Sequence, residues 1–378
     1  MATTIERPAI TSVATFTVDG EPIGFEPGET ILEAMRRHGH RHHVPSLCYD
    51  PQLVPFGACR VCLVGIEGQN KPVASCHTPV REGMAVYTRG EKIERLRRNV
   101  VELLLSDLPA GAGQAAHFGR NEFHSVVKQT HADGTKFRTD LRKEATLPHW
   151  ENGMVAGFRT EHPYLGLDLS QCIVCSRCVR ACDEIQGTFA LTIQGRGNAS
   201  VAVPGAGMSF SESDCVSCGA CANTCPTGAI FDKGFLEAQT NHAEREAVTT
   251  CSYCGVGCSL VVQLKDDKVF AIKPNPHGPS NEGHLCLKGR FAFRFATSPD
   301  RLTTPLVRNS ATGELEPATW EEAIGLIARR FGEIRVQHGH EALAGISSAR
   351  GSNEENFLFQ KFYRQVIGTN NVDSCNRT

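Results

Sequence analysis

The sequence lacks three things that would each point to a particular partner or compartment. It has no excess of charge: 39 Lys and Arg stand against 41 Asp and Glu, a formal net charge of −2, whereas a nucleic-acid binder shows a large basic surplus. It has no apolar stretch near the roughly 18 residues that a membrane-crossing helix requires; Leu103 to Leu105 sits between Glu102 and Asp107. Met1 to Ile10 has no basic segment leading into an apolar one, so export is not expected and a cytoplasmic location is. What remains is an ordinary globular composition, 40% hydrophobic and 21% charged, over 378 residues. That length suits two or three compact units of roughly 150 residues each. Against this background, 17 cysteines are unusual.

The cysteines fall into tight sets: Cys48/Cys59/Cys62/Cys76, Cys172/Cys175/Cys178/Cys182, Cys215/Cys218/Cys221/Cys225 and Cys251/Cys254/Cys258/Cys286, with Cys375 apart. A disulfide framework needs an oxidising compartment and usually a small domain, neither of which fits. Cysteines two or three residues apart turn their sulfurs into one concavity, where soft thiolates converge on iron or zinc. A lone C-x2-C pair would favour zinc. The crowded run C-x2-C-x2-C-x3-C suits the cuboidal [4Fe-4S] cluster, and it occurs twice. Cys375 is expected to be a buried small hydrophobe rather than a ligand.

Around these sets the pattern predicts a multidomain α+β chain. In residues 13–90, Ala14 to Val18 and Ile23 to Glu26 read as strands joined by an Asp19-Gly20 turn. A Thr30/Glu33 capping box opens a helix ending at Gly39. The turn His38-Gly39-His40-Arg41-His42-His43 reads as a solvated loop rather than a metal site. Small residues around Pro55 to Cys62 would let backbone N–H groups approach the sulfurs. Residues 91–169 read as a helical connector opening with Glu91 to Ser106, its apolar face Ile93, Leu96, Val100, Leu103 and Leu104 and its solvated basic face Arg95, Arg97 and Arg98. Residues 170–240 hold the two crowded runs around a β-ribbon from Phe189 to Met208. Residues 246–300 hold the fourth set, with strands at Leu260 to Leu264 and Val269 to Lys273. Residues 301–378 carry a Thr319/Glu322-capped helix, a strand at Leu343 to Ile346 and a Ser352/Glu355-capped helix, the opening of a doubly wound α/β domain.

The first set, C-x10-C-x2-C-x13-C on a sheet-rich domain, resembles the β-grasp [2Fe-2S] ferredoxin domain of respiratory and hydrogenase subunits, with a wider first gap than the plant-type pattern. The two crowded runs resemble ferredoxin-type double-cluster modules, in which the fourth cysteine of each run crosses to the other cube. That resemblance implies one cluster on Cys172, Cys175, Cys178 and Cys225 and a second on Cys215, Cys218, Cys221 and Cys182. Pro226 after Cys225 fits the pattern; Asp183 stands where a proline is common. The fourth set, with Cys286-Leu287-Lys288-Gly289-Arg290, resembles the [4Fe-4S] motif that opens the molybdopterin oxidoreductases. The order of modules resembles the α subunit of cytoplasmic NAD-dependent molybdenum or tungsten formate dehydrogenases over nearly the whole chain. The resemblance implies one [2Fe-2S] and three [4Fe-4S] clusters. It places Lys288 between a cluster and a pterin of the molybdenum or tungsten bis-pterin guanine dinucleotide. It also implies oxidation of formate to CO2 in the full-length enzyme, with a flavin/iron–sulfur NAD-reducing subunit as partner and a small [2Fe-2S] subunit as a further candidate.

Two departures from that family stand out. Members often carry another [4Fe-4S] cluster, held by one His and three Cys after the helix matching Glu91 to Ser106. No cysteine occurs between Cys76 and Cys172, and His117 and His124 alone cannot replace it. In formate dehydrogenases the residues matching Asn370 to Thr378 are followed at once by the cysteine or selenocysteine that binds molybdenum. No catalytic residue is therefore expected within these 378 residues, the chain alone is expected to be inactive with formate, and a UGA selenocysteine codon after Thr378 is the expected reason for an end there. The rival readings are electron-transfer modules. An iron-only hydrogenase relative should lack the Cys251 set, and a large iron–sulfur subunit of complex I type generally has the His-plus-three-Cys cluster.

Overall fold

The computed structural model describes residues 14–39, 44–108, 122–137, 150–151, 154–155, 162–197, 200–205, 207–238, 240 and 242–375. Residues 40–43 of the histidine-rich turn and His117 lie outside these ranges. The chain divides into two compact units, Met1–Glu244 and Arg245–Thr378. No helix among the described residues is long and apolar enough to cross a membrane.

The first unit opens on a five-stranded sheet. Its strands β1 (Thr15–Val18), β2 (Glu21–Gly24), β3 (Leu63–Ile66), β4 (Val73–Ala74) and β5 (Ala85–Tyr87) lie in the order β2-β1-β5-β3-β4, with β1 and β5 parallel. Asp19 (φ 50°) and Gly20 (φ 90°) make the tight turn between β1 and β2. Positive φ at both central residues matches the twist of a two-residue hairpin. The Asp19 carboxylate also accepts from the Thr88 N–H at 2.7 Å, fixing the end of β5 beside the turn. Helix α1 (Ile31–Arg37) starts at the Thr30/Glu33 capping box and packs Ile31, Leu32 and Met35 against Phe16, Val64 and Val86. Cys62 and Cys76 belong to this same core.

Helix α2 (Glu91–Ser106) has the expected limits, but a different face is buried. Its inward stripe is Ile93, Arg97, Val101 and Leu105, with Glu102 beside it, whereas Leu103 is exposed. Arg97 is on the inner face because its guanidinium donates to the Leu63 carbonyl at the end of the sheet, the Nε–O distance being 2.9 Å. A buried arginine is tolerated when its stem packs and its head finds an acceptor. Glu102 is likewise met by Lys136 at 2.9 Å. Helix α3 (Glu122–Thr130) lays Phe123, Val126 and Val127 against Val101 and Leu105 of α2. A short strand pair, β6 (Trp150–Glu151) with β7 (Met154–Val155), follows.

Two further antiparallel pairs frame the crowded cysteine runs. Strand β8 (Leu165–Leu167) pairs with β11 (Ile230–Asp232), and β9 (Leu191–Gln194) pairs with β10 (Val201–Pro204), the expected ribbon. Helix α4 (Arg177–Arg180) runs into a π turn, Ala181–Gln186, that ends at Gly187 with φ 73°. Helix α5 (Ala220–Thr224) stops at Cys225, where Pro226 cannot continue it. Asp183, standing where relatives of the motif have proline, lets the first helix run on. Helix α6 (Lys233–Glu237), capped by Asp232, closes the unit.

The second unit begins with an antiparallel sheet in the order β12 (Arg245–Thr250), β13 (Ser259–Lys265), β14 (Lys268–Pro274). Strand β12 was not expected; every one of its residues is exposed, so no alternation marks it. Asp266 and Asp267, with φ of 49° and 56°, turn β13 into β14. Helix α7 (Leu287–Phe291) follows, then the hairpin of β15 (Leu306–Arg308) and β16 (Leu315–Pro317). Helix α8 (Trp320–His338) and helix α9 (Asn353–Lys361) both begin with the expected capping boxes. Strand β17 (Gly345–Ser347) pairs in parallel with β18 (Val372–Ser374), so β17, α9 and β18 form one βαβ step of an α/β sheet. Leu343, Tyr363 and Ile367 make a small core joined by Phe331 and Phe359. Ile327 and Phe357 stay more than half exposed. Burying such a side chain is worth about 1.5–3 kcal/mol, so this region has little of its own holding it. Limited proteolysis is expected to cut first between Arg294 and Glu316, a stretch mostly exposed, leaving an amino-terminal core. Equal resistance of the last 80 or so residues would contradict that expectation. Cys375, expected to be buried, is exposed beside Ser348, because β18 has one strand neighbour and no element covers it among the described residues.

Candidate metal centres

The first cysteine set draws together around the loop that follows α1. The Cys48 N–H donates to Cys59 Sγ at 3.4 Å and the Cys59 N–H returns to Cys48 Sγ at 3.5 Å. Left-handed backbone at Gly57 (φ 69°) and Arg60 (φ 59°) turns the loop so that these amides face inward. A Cβ at position 57 would also press on the His77 side chain at 3.3 Å. The thiols of Cys48, Cys59, Cys62 and Cys76 are linked to one another. Hydrogen bonding from Cys59, then Cys76, holds the Cys48 thiol far below its ordinary value, while the same contacts push Cys59 and Cys76 up.

The two crowded runs share one backbone design. Val174 and Ser217, each two residues after the first cysteine, have φ of 53° and 56°; Ser176 and Gly219, each just after the second, have φ of 63° and 76°. These left-handed residues aim the Val174 N–H at Cys172 Sγ and the Ser217 N–H at Cys215 Sγ, both at 3.4 Å. A β-branched residue such as Val174 in this conformation costs on the order of 1–3 kcal/mol, which the surrounding packing must offset. α4 and α5 then carry the third cysteines, Cys178 and Cys221, and the fourth follow them, Cys182 in the π turn and Cys225 at the end of α5.

The cysteines are shared out between two apolar cavities across the runs, not run by run. One cavity is lined by Cys172, Cys175, Cys178 and Cys225 with Leu167, Ile193 and Ile230. The other is lined by Cys182, Cys215, Cys218 and Cys221 with Leu165, Leu191 and Phe210. Burial pushes the Cys175 thiol up to about 12, with Cys225 and Cys172 adding to the rise, and pushes Cys178 well above its ordinary value. Four thiolates in such surroundings repel one another and lack solvent, so they ionise together only around a cationic centre. Thiolates, apolar walls and N–H donors at sulfur are the donor set of an iron–sulfur cluster.

Arg177, between Cys175 and Cys178, ties this module to the first set and was not singled out by the sequence. It is 1% exposed. Its Nη2 meets Asp50 at 2.6 Å, Nη1 meets Glu122 at 2.7 Å and the Leu47 carbonyl at 3.2 Å, and Nε donates to Thr224 Oγ1 at 2.9 Å. Burial raises the Asp50 carboxyl, and Arg177, Gln52 and Thr224 more than reverse this, so it lies below the usual range. Arg180 donates to the Cys48 carbonyl at 3.2 Å and to the Val54 carbonyl. Cys59 and Cys175 both pack on the core built by α2 and α3.

His162 is also buried beside a cysteine. Its Nε2 lies 3.8 Å from Cys215 Sγ and 3.1 Å from Ser217 Oγ. Burial, with the Lys233 charge, lowers its pKa to about 4, so the ring is neutral.

In the second unit, Cys251 and Cys258 close the end of the β12–β13 hairpin, the Cys251 N–H donating to the Cys258 carbonyl at 2.8 Å. Asn281 brings the distant fourth cysteine to them. Its Oδ1 accepts from the Ser259 N–H at 2.8 Å, and its Nδ2 donates to the His284 carbonyl at 2.8 Å. Burial raises the Cys258 thiol, and the thiols of Cys251, Cys254 and Cys286 raise it further. Gly289 on α7 is close to this set: a Cβ there would lie 3.4 Å from Cys251 Sγ. Lys288, next to it, is exposed. His124 is half-buried on α3. Among the described residues no three His, Cys, Asp or Glu side chains form a single-ion site.

Four family models match in the order of these sites. Residues 12–91 match a 2Fe-2S iron–sulfur cluster binding domain and residues 171–229 a 4Fe-4S dicluster domain. Residues 244–298 match the molybdopterin oxidoreductase Fe4S4 domain and residues 301–378 the molybdopterin oxidoreductase domain. The chain carries the modules of the molybdopterin oxidoreductase family. Relatives of this chain include the NADPH-Fe(3+) oxidoreductase subunit alpha of Geobacter sulfurreducens, 32% identical over 96% of this chain and 40% of that relative. The probable oxidoreductase YjgC of Bacillus subtilis is 30% identical over 96% of this chain and 39% of its own length. A Staphylococcus aureus protein provisionally named as a formate dehydrogenase is 32% identical with the same coverage, 96% and 39%. The chain thus spans about two fifths of the length of these curated relatives. A solved structure, the NAD+-reducing [NiFe]-hydrogenase in its H2-reduced state, is 30% identical over 58% of this chain and 87% of that one, at a TM-score of 0.47.

Proposed function

We propose that the chain is the iron–sulfur electron-transfer portion of a formate dehydrogenase α subunit. The observation that carries this reading is the exchange of fourth cysteines between two apolar cavities, inside a chain whose modules run from 2Fe-2S domain to molybdopterin domain. In it, Cys48, Cys59, Cys62 and Cys76 hold a [2Fe-2S] cluster. Three [4Fe-4S] clusters are held by Cys172, Cys175, Cys178 and Cys225; by Cys182, Cys215, Cys218 and Cys221; and by Cys251, Cys254, Cys258 and Cys286. The clusters supply one-electron relay; the chain supplies thiolates, water-excluding walls and N–H groups at sulfur that set the potentials. Formate leaves as CO2 with a proton and two electrons, and a flavin-bearing partner collects those electrons for NAD. Lys288, two residues beyond Cys286 and exposed, would supply a cation between that last cluster and a bound pterin. The name of the Geobacter relative favours a second reading, in which NADPH is the electron source and the same modules carry electrons the other way.

Anaerobic reconstitution is expected to load about 14 irons per chain, one [2Fe-2S] and three [4Fe-4S] clusters, with zinc minor. Stoichiometric zinc without iron–sulfur absorption would overturn the wiring role. For the substrate, a polypeptide extended to the length of the relatives and loaded with molybdenum cofactor is expected to have its clusters reduced by formate, and this chain alone is not. Reduction by NADPH through a flavin partner, with none by formate, would support the second reading instead.

A further inference from the structure

The His162 ring is held in one orientation and one tautomer. Its Nδ1 accepts two backbone hydrogen bonds, from Tyr164 N–H at 3.0 Å and Leu165 N–H at 2.9 Å, just where the chain enters β8. A ring nitrogen that accepts twice carries no proton, so the proton is on Nε2. Phe210 stands edge-on to the ring at 5.1 Å and Tyr164 at 6.1 Å, and the His162 carbonyl accepts from Lys233 at 2.6 Å. The ring therefore cannot turn away, and Nε2–H points into the space between Cys215 Sγ and Ser217 Oγ. Ser217 itself donates its backbone N–H to the same sulfur.

We infer that His162 is a positioning residue that directs a fixed N–H dipole onto Cys215 and so raises the reduction potential of the cluster held by Cys182, Cys215, Cys218 and Cys221. This rests on the ligand reading given above. Reduction adds negative charge that spreads onto the sulfurs. A preset donor at sulfur stabilises the reduced state more than the oxidised one, which moves the potential upward. The second cavity also has the Ala190 N–H at 3.1 Å from Cys182 Sγ, with the Thr188 hydroxyl at 3.4 Å, so donors meet both ends of its ligand set. His162 adds an imidazole to these donors.

The test uses the anaerobically reconstituted 378-residue chain, with the signal of this cluster assigned as the one that Cys218→Ala removes. His162→Leu is expected to shift its midpoint potential negative by at least a tenfold change in the reduction equilibrium, about 59 mV for a one-electron couple. The other clusters should stay in place, and His162→Gln, which can still accept and donate, should recover much of the shift. In the wild-type chain with 15N-labelled histidine, pulsed EPR of the reduced cluster is expected to show a weakly coupled nitrogen that His162→Gln abolishes. This last reading stands even if the leucine variant fails to load. A loaded cluster with neither the nitrogen coupling nor the shift, or an equal shift in all clusters, would overturn the inference. Absence of any cluster at this set in the wild-type chain would instead overturn the ligand reading on which it rests.

Discussion

Replacing Cys225 by alanine is expected to abolish the cluster of Cys172, Cys175 and Cys178, while leaving Cys215, Cys218 and Cys221 loaded. Run-by-run ligation gives the opposite outcome, because Cys225 closes the sequence run of Cys215. The crossed outcome follows from geometry: Cys225 lines the first cavity and Cys182 the second. The reciprocal variant, Cys182→Ala, should empty the second cavity and spare the first. Each is expected to remove about four of the irons. Iron analysis with EPR of the two variants side by side decides it, and loss of the Cys215 cluster from Cys225→Ala would refute crossed ligation.

The second large effect falls on a residue that touches no metal. Arg177→Met is expected to lower the stability of the first unit by about 3–5 kcal/mol, the range for removing one partner of a buried ion pair. The loss is large because Asp50 and Thr224 are also buried and would be left facing each other without the guanidinium. Asp50→Asn with Arg177→Met should recover part of it, since no carboxylate is then stranded at that position. Asp50 lies below the usual carboxylate range in the folded chain, so its share is complete at neutral pH. That share is lost only as pH falls through the folded value. Denaturant unfolding of the cluster-free variants measures the difference. A change under about 1 kcal/mol would mean that the pair matters little.

The cysteine sets and the capped helices were legible because their information is local. In the two crowded runs the cysteines are separated by only two or three residues, and the Thr30, Thr319 and Ser352 boxes each span four residues. The Arg177 network was not, since its partners Asp50 and Leu47 are 127 and 130 residues away. An arginine among cysteines is a faint signal, and composition reads it as solvated. The face of α2 was misread for the same reason: charge placed Arg97 outside, whereas its guanidinium donates inward to the Leu63 carbonyl, 34 residues away. His162 gave no signal at all, because the two amides that fix its tautomer belong to a strand start that no pattern marks.

The two crowded loops adopt the same angles from unlike residues, and this sets what each would gain on release. Val174 and Ser176 are held where L-residues are disfavoured, so freeing the first loop relieves strain and is enthalpic in origin. The second loop holds one such residue, Ser217, while Gly219 fits its left-handed angle without strain and has the widest choice of conformations once free, so freeing the second loop is driven more by entropy than freeing the first. Cooling therefore favours keeping the second loop ordered more than the first. One scaffold, repeated, is sprung more tightly on one side than on the other, and its two halves would respond to temperature differently.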